Sequence, residues 1–106
     1  MIELAERHNV KITVLKRFNP SEVFDSSPVT PVNPLGACGL FKDGQEFIVE
    51  RLRMPEGFCT SAWNSIYGDV RILAFNGVFP WYKEKGVAVA CCTDGLRPVV
   101  FKLERI

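Results

Sequence analysis

Four cysteines are the side chains in this sequence whose type and placement could do chemistry: Cys38, Cys59, Cys91 and Cys92. Cysteine thiolates hold zinc ions and iron–sulfur clusters, and pairs of thiols exchange electrons with disulfides. No two of these cysteines have the C-x-x-C spacing of a zinc knuckle or a redox motif, and the first three are far apart along the chain. Any shared chemistry therefore requires a fold that brings distant segments together.

The segment over residues 55–77 has the clearest helical periodicity in the chain. Its apolar residues recur at steps of three and four, which predicts a helix over about residues 59–76 with one buried face. Thr60 or Ser61 is expected to cap the first turn and Gly77 to end the helix, while Gly68 is a weak point at which it could divide in two. The apolar stripe consists of Cys59, Ala62, Trp63, Ile66, Tyr67, Val70, Leu73 and Ala74.

This helix gives the cysteines a chemical context. Cys59 lies at its first turn, where free N–H groups and the helix dipole favour a thiolate, a better metal ligand and nucleophile than a thiol. Cys91 and Cys92 are neighbours on a predicted strand, so their side chains point to opposite faces and only one of them can meet Cys59. The functional hypothesis is that Cys38, Cys59 and one of this pair converge on a zinc ion, an iron–sulfur cluster or a thiol-redox site. In the opposing interpretation all four are buried packing residues, and the sequence leaves both open.

Four predicted strands surround the helix, over residues 10–17, 46–53, 86–92 and 99–106. Asn19 and Pro20 predict a short capped helix after the first strand, and the prolines between residues 26 and 39 predict an extended connection. The expected fold is α+β: a small, mainly antiparallel sheet with the one principal helix packed on one face. A chain of 106 residues is expected to form a single domain over residues 1–106.

Composition and charge narrow the classes of partner. With 47% hydrophobic and 24% charged residues, the chain has the balance of an ordinary globular protein. The net charge is +1 and both signs are interspersed, which argues against nucleic acid and against an anionic membrane surface. No apolar run is long enough to span a bilayer and the N-terminal residues do not have the pattern of a secretory signal, so the protein is expected to be cytoplasmic.

A second group of residues offers a different function. Phe79 and Trp81 form an aromatic cluster, and Asp94 and Arg97 lie in the last turn, where they are expected to pair and brace the loop. Together these four could form a ligand or partner surface. The alternative function is therefore a non-catalytic interaction module that binds a protein partner or, through the aromatic cluster, a second copy of itself as a homo-oligomer.

Several pieces between Cys38 and the C-terminus resemble, as a set, a family of small uncharacterised prokaryotic proteins described by a conserved-domain model with no assigned activity. The matching pieces include residues 55–59, residues 79–81 and residues 91–101. Members often carry Gly-His-Lys soon after the first cysteine, where this sequence has residues 40–42, Leu-Phe-Lys, and lacks the histidine. The resemblance implies no reaction or substrate. It favours Cys38, Cys59 and Cys91 as the residues that act together in a cysteine-centred accessory protein.

Overall fold

The α+β fold is confirmed by a computed structural model, which describes residues 7–106. The elements in chain order are β1 (Val10–Arg17), α1 (Pro20–Val23), β2 (Glu46–Val49), α2 (Thr60–Ala74), β3 (Val87–Cys91) and β4 (Val99–Arg105). The strands form one sheet in the order β2-β1-β4-β3, and each neighbouring pair is antiparallel. The short helix α1 has the predicted capping box at Asn19.

One face of the sheet is covered by α2 and forms the core. Ile12 on β1 lies opposite Leu103 on β4, and Val14 lies opposite Phe101; all four side chains are fully buried. The alternate residues on the other face are partly exposed and carry charge, with Lys11 3.5 Å from Glu46 and 3.9 Å from Glu104. This alternation of buried and charged residues is the period-two pattern expected of a sheet covered on one side.

Helix α2 buries its apolar stripe on this sheet through Ala62, Ile66, Val70, Leu73 and Ala74. The N-cap is Cys59, and its side chain makes no capping hydrogen bond, so the prediction of Thr60 or Ser61 as the cap is wrong. The helix continues without a break through Gly68. Burying several large apolar side chains stabilises the helix by more than the roughly 1 kcal/mol that one interior glycine costs.

The residue that adopts the left-handed conformation at the end of α2 is not the predicted one. Asn76, with φ of 68°, takes the left-handed position that was predicted for Gly77. The N–H of Asn76 donates to the Leu73 carbonyl at 3.1 Å and the N–H of Gly77 to the Ile72 carbonyl at 2.8 Å, which is the Schellman pattern. Gly77 is needed for another reason: a Cβ there would lie 2.5 Å from Ile72 Cγ2 and 2.8 Å from the Ile72 carbonyl oxygen.

Strand β2 is shorter than the predicted strand over residues 46–53. It ends at Val49, and Arg51 and Leu52 follow with φ of 54° and 60°. The N–H of Arg53 donates to the Glu50 carbonyl at 3.0 Å, closing a turn. Two consecutive non-glycine residues in the left-handed region are uncommon, so local sequence preferences did not indicate this turn.

Among the helices of residues 7–106, none has both the length and the apolar character that crossing a membrane requires.

Replacing Gly77 and Gly68 separately by alanine should change stability in opposite directions. Gly77→Ala forces the new methyl group against the Ile72 backbone, so we expect the free energy of unfolding to fall by about 1–3 kcal/mol. The matched change Gly68→Ala meets no atom within 4 Å and should raise it by up to about 1 kcal/mol, because alanine is the better helix former. Urea unfolding followed by circular dichroism measures both changes. An unchanged free energy of unfolding for Gly77→Ala would contradict the close approach of residue 77 to Ile72.

Candidate functional site

A cleft of about 360 Å³ lies at the start of α2. Three chain segments that are distant in sequence form its walls: the connection before β2, the first turn of α2, and the turn between β3 and β4. Three of the four cysteines line it, and an arginine and an aspartate lie at its side. The lining residues are Cys38, Leu40, Phe41, Cys59, Ser61, Ala62, Cys92, Thr93, Asp94, Arg97 and Val99.

Cys59 is held at this cleft by its neighbours in the chain. The preceding residue, Phe58, is buried, and its ring packs 5.1 Å from the ring of Phe41 and 5.5 Å from that of Phe101. The Cys59 carbonyl accepts the N–H of Trp63 at 2.9 Å and so begins the helix. Within residues 7–106, the first-turn N–H groups of α2 that follow Cys59 have no hydrogen-bond acceptor. They can therefore donate to an anionic group at the start of the helix.

Cys38 is positioned by an arginine at the end of β1. The Arg17 guanidinium donates to the Cys38 carbonyl at 2.9 Å and to the Asp43 carboxylate at 3.1 Å. This arrangement ties the connection before β2 to the end of β1. The Cys38 side chain is half-buried and packs against the edge of the core.

Cys92, and not Cys91, is the third cysteine of the cleft. Cys91 pairs with Val100 on β4, and its neighbour Ala90 pairs with the buried Phe101. Since successive strand residues point to opposite faces, Cys91 lies on the uncovered face of the sheet, where it is exposed. Cys92 points the other way, and its Sγ accepts the N–H of Val99 at 3.2 Å. The predicted set of Cys38, Cys59 and Cys91 therefore does not line one cleft; Cys92 lies there with Cys38 and Cys59, in place of Cys91.

The four cysteines are free thiols in this structure. Within the described part of the chain, no three histidine, cysteine, aspartate or glutamate side chains are grouped closely enough to hold a metal ion. The zinc or iron–sulfur centre predicted from Cys38, Cys59 and Cys91 is accordingly not formed by these residues, because Cys91 lies on the opposite face of the sheet. The fold instead places three thiols, those of Cys38, Cys59 and Cys92, along the walls of one cleft.

The polar side of the cleft is the predicted pair of Asp94 and Arg97. The Asp94 carboxylate accepts the N–H groups of Leu96 and Arg97 through Oδ1, at 3.0 and 3.2 Å, and the Arg97 Nε through Oδ2 at 3.3 Å. Asp94 thus braces the turn, as the sequence predicted. Within residues 7–106 the two Nη atoms of Arg97 donate to no protein group, so the guanidinium can bind an anion at the cleft.

The aromatic half of the predicted partner surface lies elsewhere. Trp81 is 71% exposed, but Phe79 is 7% exposed and belongs to the core. Arg105, at the far end of β4 from Val99, donates to the Gly77 carbonyl at 2.7 Å and through its own N–H to the Gly86 carbonyl at 2.8 Å. The segment that carries Trp81 therefore starts and finishes at the opposite end of β4 from the cleft. Phe79, Trp81, Asp94 and Arg97 do not form one surface.

The cleft contains residues that the sequence did not indicate. Leu40 and Ser61 line it beside the cysteines, and nothing in their local pattern marks them as site residues. Partial burial raises the pKa of the Asp69 carboxyl. Asp69 does not line the cleft.

Comparison of the chain with models of protein families, with curated proteins and with solved structures found no match. The resemblance to a family of small prokaryotic proteins therefore stays a prediction.

Replacing Asp94 tests its role in the turn. Asp94→Ala removes the acceptor of two backbone N–H groups, so we expect the free energy of unfolding to fall by about 1 kcal/mol. Asp94→Asn should lower it by less, because the amide oxygen still accepts those N–H groups and an exposed ion pair contributes little. Urea unfolding of both variants measures the difference. Equal losses for the two variants would mean that the ion pair with Arg97 stabilises the turn.

Proposed function

We propose that this protein is a thiol-redox accessory protein that exchanges electrons with disulfides at the cleft lined by Cys38, Cys59 and Cys92. The observation that carries the proposal is that three free thiols from three distant segments line one cleft. Of the two chemistries expected from the sequence, thiol exchange needs two thiols in one place, whereas a metal centre needs three or four ligands about one point. The arrangement of the described residues favours the former.

Cys59 is the thiol that we assign to the first step. Its thiolate attacks one sulfur of a substrate disulfide, forming a mixed disulfide and releasing one substrate thiol, which takes up a proton. The thiolate of Cys38 or Cys92 then attacks the Cys59 sulfur and releases the second substrate thiol. Two electrons pass to the substrate, and the protein keeps an intramolecular disulfide. The assignment to Cys59 rests on the first-turn N–H groups of α2, which can donate to a charged sulfur or to a bound anion.

The remaining lining indicates the class of disulfide. Leu40, Phe41 and Val99 provide apolar walls, and the Arg97 guanidinium provides a positive charge at the side. A small disulfide that carries a carboxylate fits this combination, because the guanidinium pairs with a carboxylate in a fixed geometry. Glutathione disulfide has these features and is the probe for the test.

The reduced protein is incubated with glutathione disulfide and analysed by intact mass and by peptide mapping. We expect the wild type to lose two hydrogen atoms and to contain a disulfide that joins Cys59 to Cys38 or to Cys92. Cys59→Ser should not form it. Cys91→Ser is the matched control and should form it as the wild type does, since Cys91 lies outside the cleft.

Two results would refute this function. One is an oxidised protein in which Cys91 is the cysteine that reacts and the cleft thiols stay reduced. The other is a Cys59→Ser variant that loses two hydrogen atoms and forms an intramolecular disulfide as readily as the wild type does. The metal content of protein purified without oxygen should be measured in parallel. A stoichiometric metal that is lost in Cys59→Ser would show that the cleft binds a metal and does not exchange disulfides.

A second candidate is the non-catalytic interaction module, and the exposure of Trp81 favours it. Trp81 is 71% exposed and packs 5.5 Å from Phe79 and 6.0 Å from Tyr82, measured between ring centroids. Large exposed aromatics are common at binding surfaces. This function predicts that Trp81→Ala abolishes partner binding while Cys59→Ser retains it, and the reverse pattern would exclude it.

A further inference from the structure

Strand β3 forms one edge of the sheet, with β4 on its inner side. The N–H of Cys92 donates to the Val99 carbonyl at 3.0 Å, and the N–H of Arg105 donates to the Gly86 carbonyl at 2.8 Å. Even-numbered residues of this segment therefore bond to β4. In an antiparallel pair, alternate residues direct both backbone groups to the opposite side. The N–H and C=O groups of Val87, Val89 and Cys91 accordingly point outward from the sheet.

These outward groups are largely unpaired. Within residues 7–106, one hydrogen bond reaches them: the Ser65 hydroxyl donates to the Cys91 carbonyl at 2.7 Å. That bond confirms the outward direction of Cys91. A carbonyl oxygen has two lone pairs and can accept a second donor, so the Cys91 carbonyl remains usable. Val89, in the middle of the strand, is 46% exposed, as expected for a side chain on the uncovered face.

The two edges of the sheet differ in protection. Proteins normally shield edge strands with charges, prolines or bulges. At the other edge, β2 has four residues, begins with Glu46 and is followed by Glu50 and the left-handed turn at Arg51. Strand β3 has the sequence VAVAC, with no charge and no proline, and its pairing with β4 is regular throughout. It has none of these devices.

We propose that β3 pairs antiparallel with β3 of a second copy of this chain, about a two-fold axis at Val89. In this register Val89 lies opposite the second copy's Val89, and Val87 lies opposite the second copy's Cys91. Each outward N–H then meets an outward C=O, because the pattern of outward residues is symmetric about Val89. The two four-stranded sheets become one continuous sheet, with both α2 helices on the same face.

A second copy fits this edge better than a charged peptide does. The side chains of Val87, Val89 and Cys91 all lie on the uncovered face, so the pairs across the axis are Val with Val and Val with Cys. Both are apolar, and no like charges meet, which is a requirement for a strand that pairs with itself. No charged side chain on β3 would select a partner of opposite charge.

The first test is the oligomeric state. The molar mass is measured by light scattering across a range of protein concentrations. We expect the wild type to reach the mass of two chains as concentration rises. Val89→Lys should abolish the dimer, because two lysines would meet directly across the axis. Ile48→Lys is the matched control: Ile48 is 42% exposed on β2 at the other edge, and its change should leave the dimer intact. Circular dichroism checks that both variants fold.

The second test uses the register and does not depend on a weakened variant. Residues in a hydrogen-bonded antiparallel pair have Cα atoms about 5.5 Å apart, within the range that a disulfide spans. Val87→Cys should therefore cross-link to Cys91 of the second copy on mild oxidation and run as a reducible dimer. Val87→Cys combined with Cys91→Ser should lose the cross-link, and Ile48→Cys should not form it.

Three outcomes would overturn the proposal. If the wild type has the mass of a single chain at every concentration, β3 does not pair with a second copy, and an extended segment of another protein becomes the candidate partner for this edge. A dimer that Val89→Lys leaves unchanged would have to form through another surface. A Val87→Cys variant that forms no more reducible dimer than Ile48→Cys would exclude this register.

Discussion

The packing of the apolar stripe of α2 on one face of the sheet is the interaction on which the rest of the structure depends. Ile66, Val70 and Leu73 from the helix are fully buried, as are Ile12, Phe101 and Leu103 on the strands. Removing a side chain of this size from water contributes roughly 1.5–3 kcal/mol. Because the apolar stripe is buried only when it lies along the apolar face of the sheet, this contact also sets the orientation of α2 relative to the strands. Its first turn lies at the Val99 end of β4, where the cysteine-lined cleft forms.

The two faces of the sheet then decide which cysteines can act together. Strand residues alternate between faces, so the position of Phe101 in the core determines that its partner Ala90 faces α2 and that Cys91 faces away. Cys92 follows the strand and lies on the covered side, with Cys38 and Cys59. A shift of the strand register by one residue would exchange the two cysteines. The composition of the site is therefore a consequence of core packing.

The alternation of strand residues between the two faces also separates the two proposed activities of the molecule. The cleft belongs to the face that α2 covers, and it is closed by the turn that Asp94 braces. The free edge of β3 presents Val87, Val89 and Cys91, none of which lines the cleft. The proposed thiol exchange and the proposed self-association therefore use different residues, so separate substitutions should disrupt each of them. A continuous sheet across two copies would leave both clefts at the Val99 ends of their β4 strands.

The elements with strong local signals could be predicted from the order of the residues alone. The apolar stripe predicted α2 to within two residues at its end, alternation predicted β1 with its bounds, and the capping box at Asn19 predicted α1. These features depend on residues a few positions apart. Tertiary structure decided what depends on distant contacts: the turn at Arg51, the burial of Phe79, and the choice of Cys92 over Cys91. Each follows from which face of an element meets the core, and that requires partners from other parts of the chain.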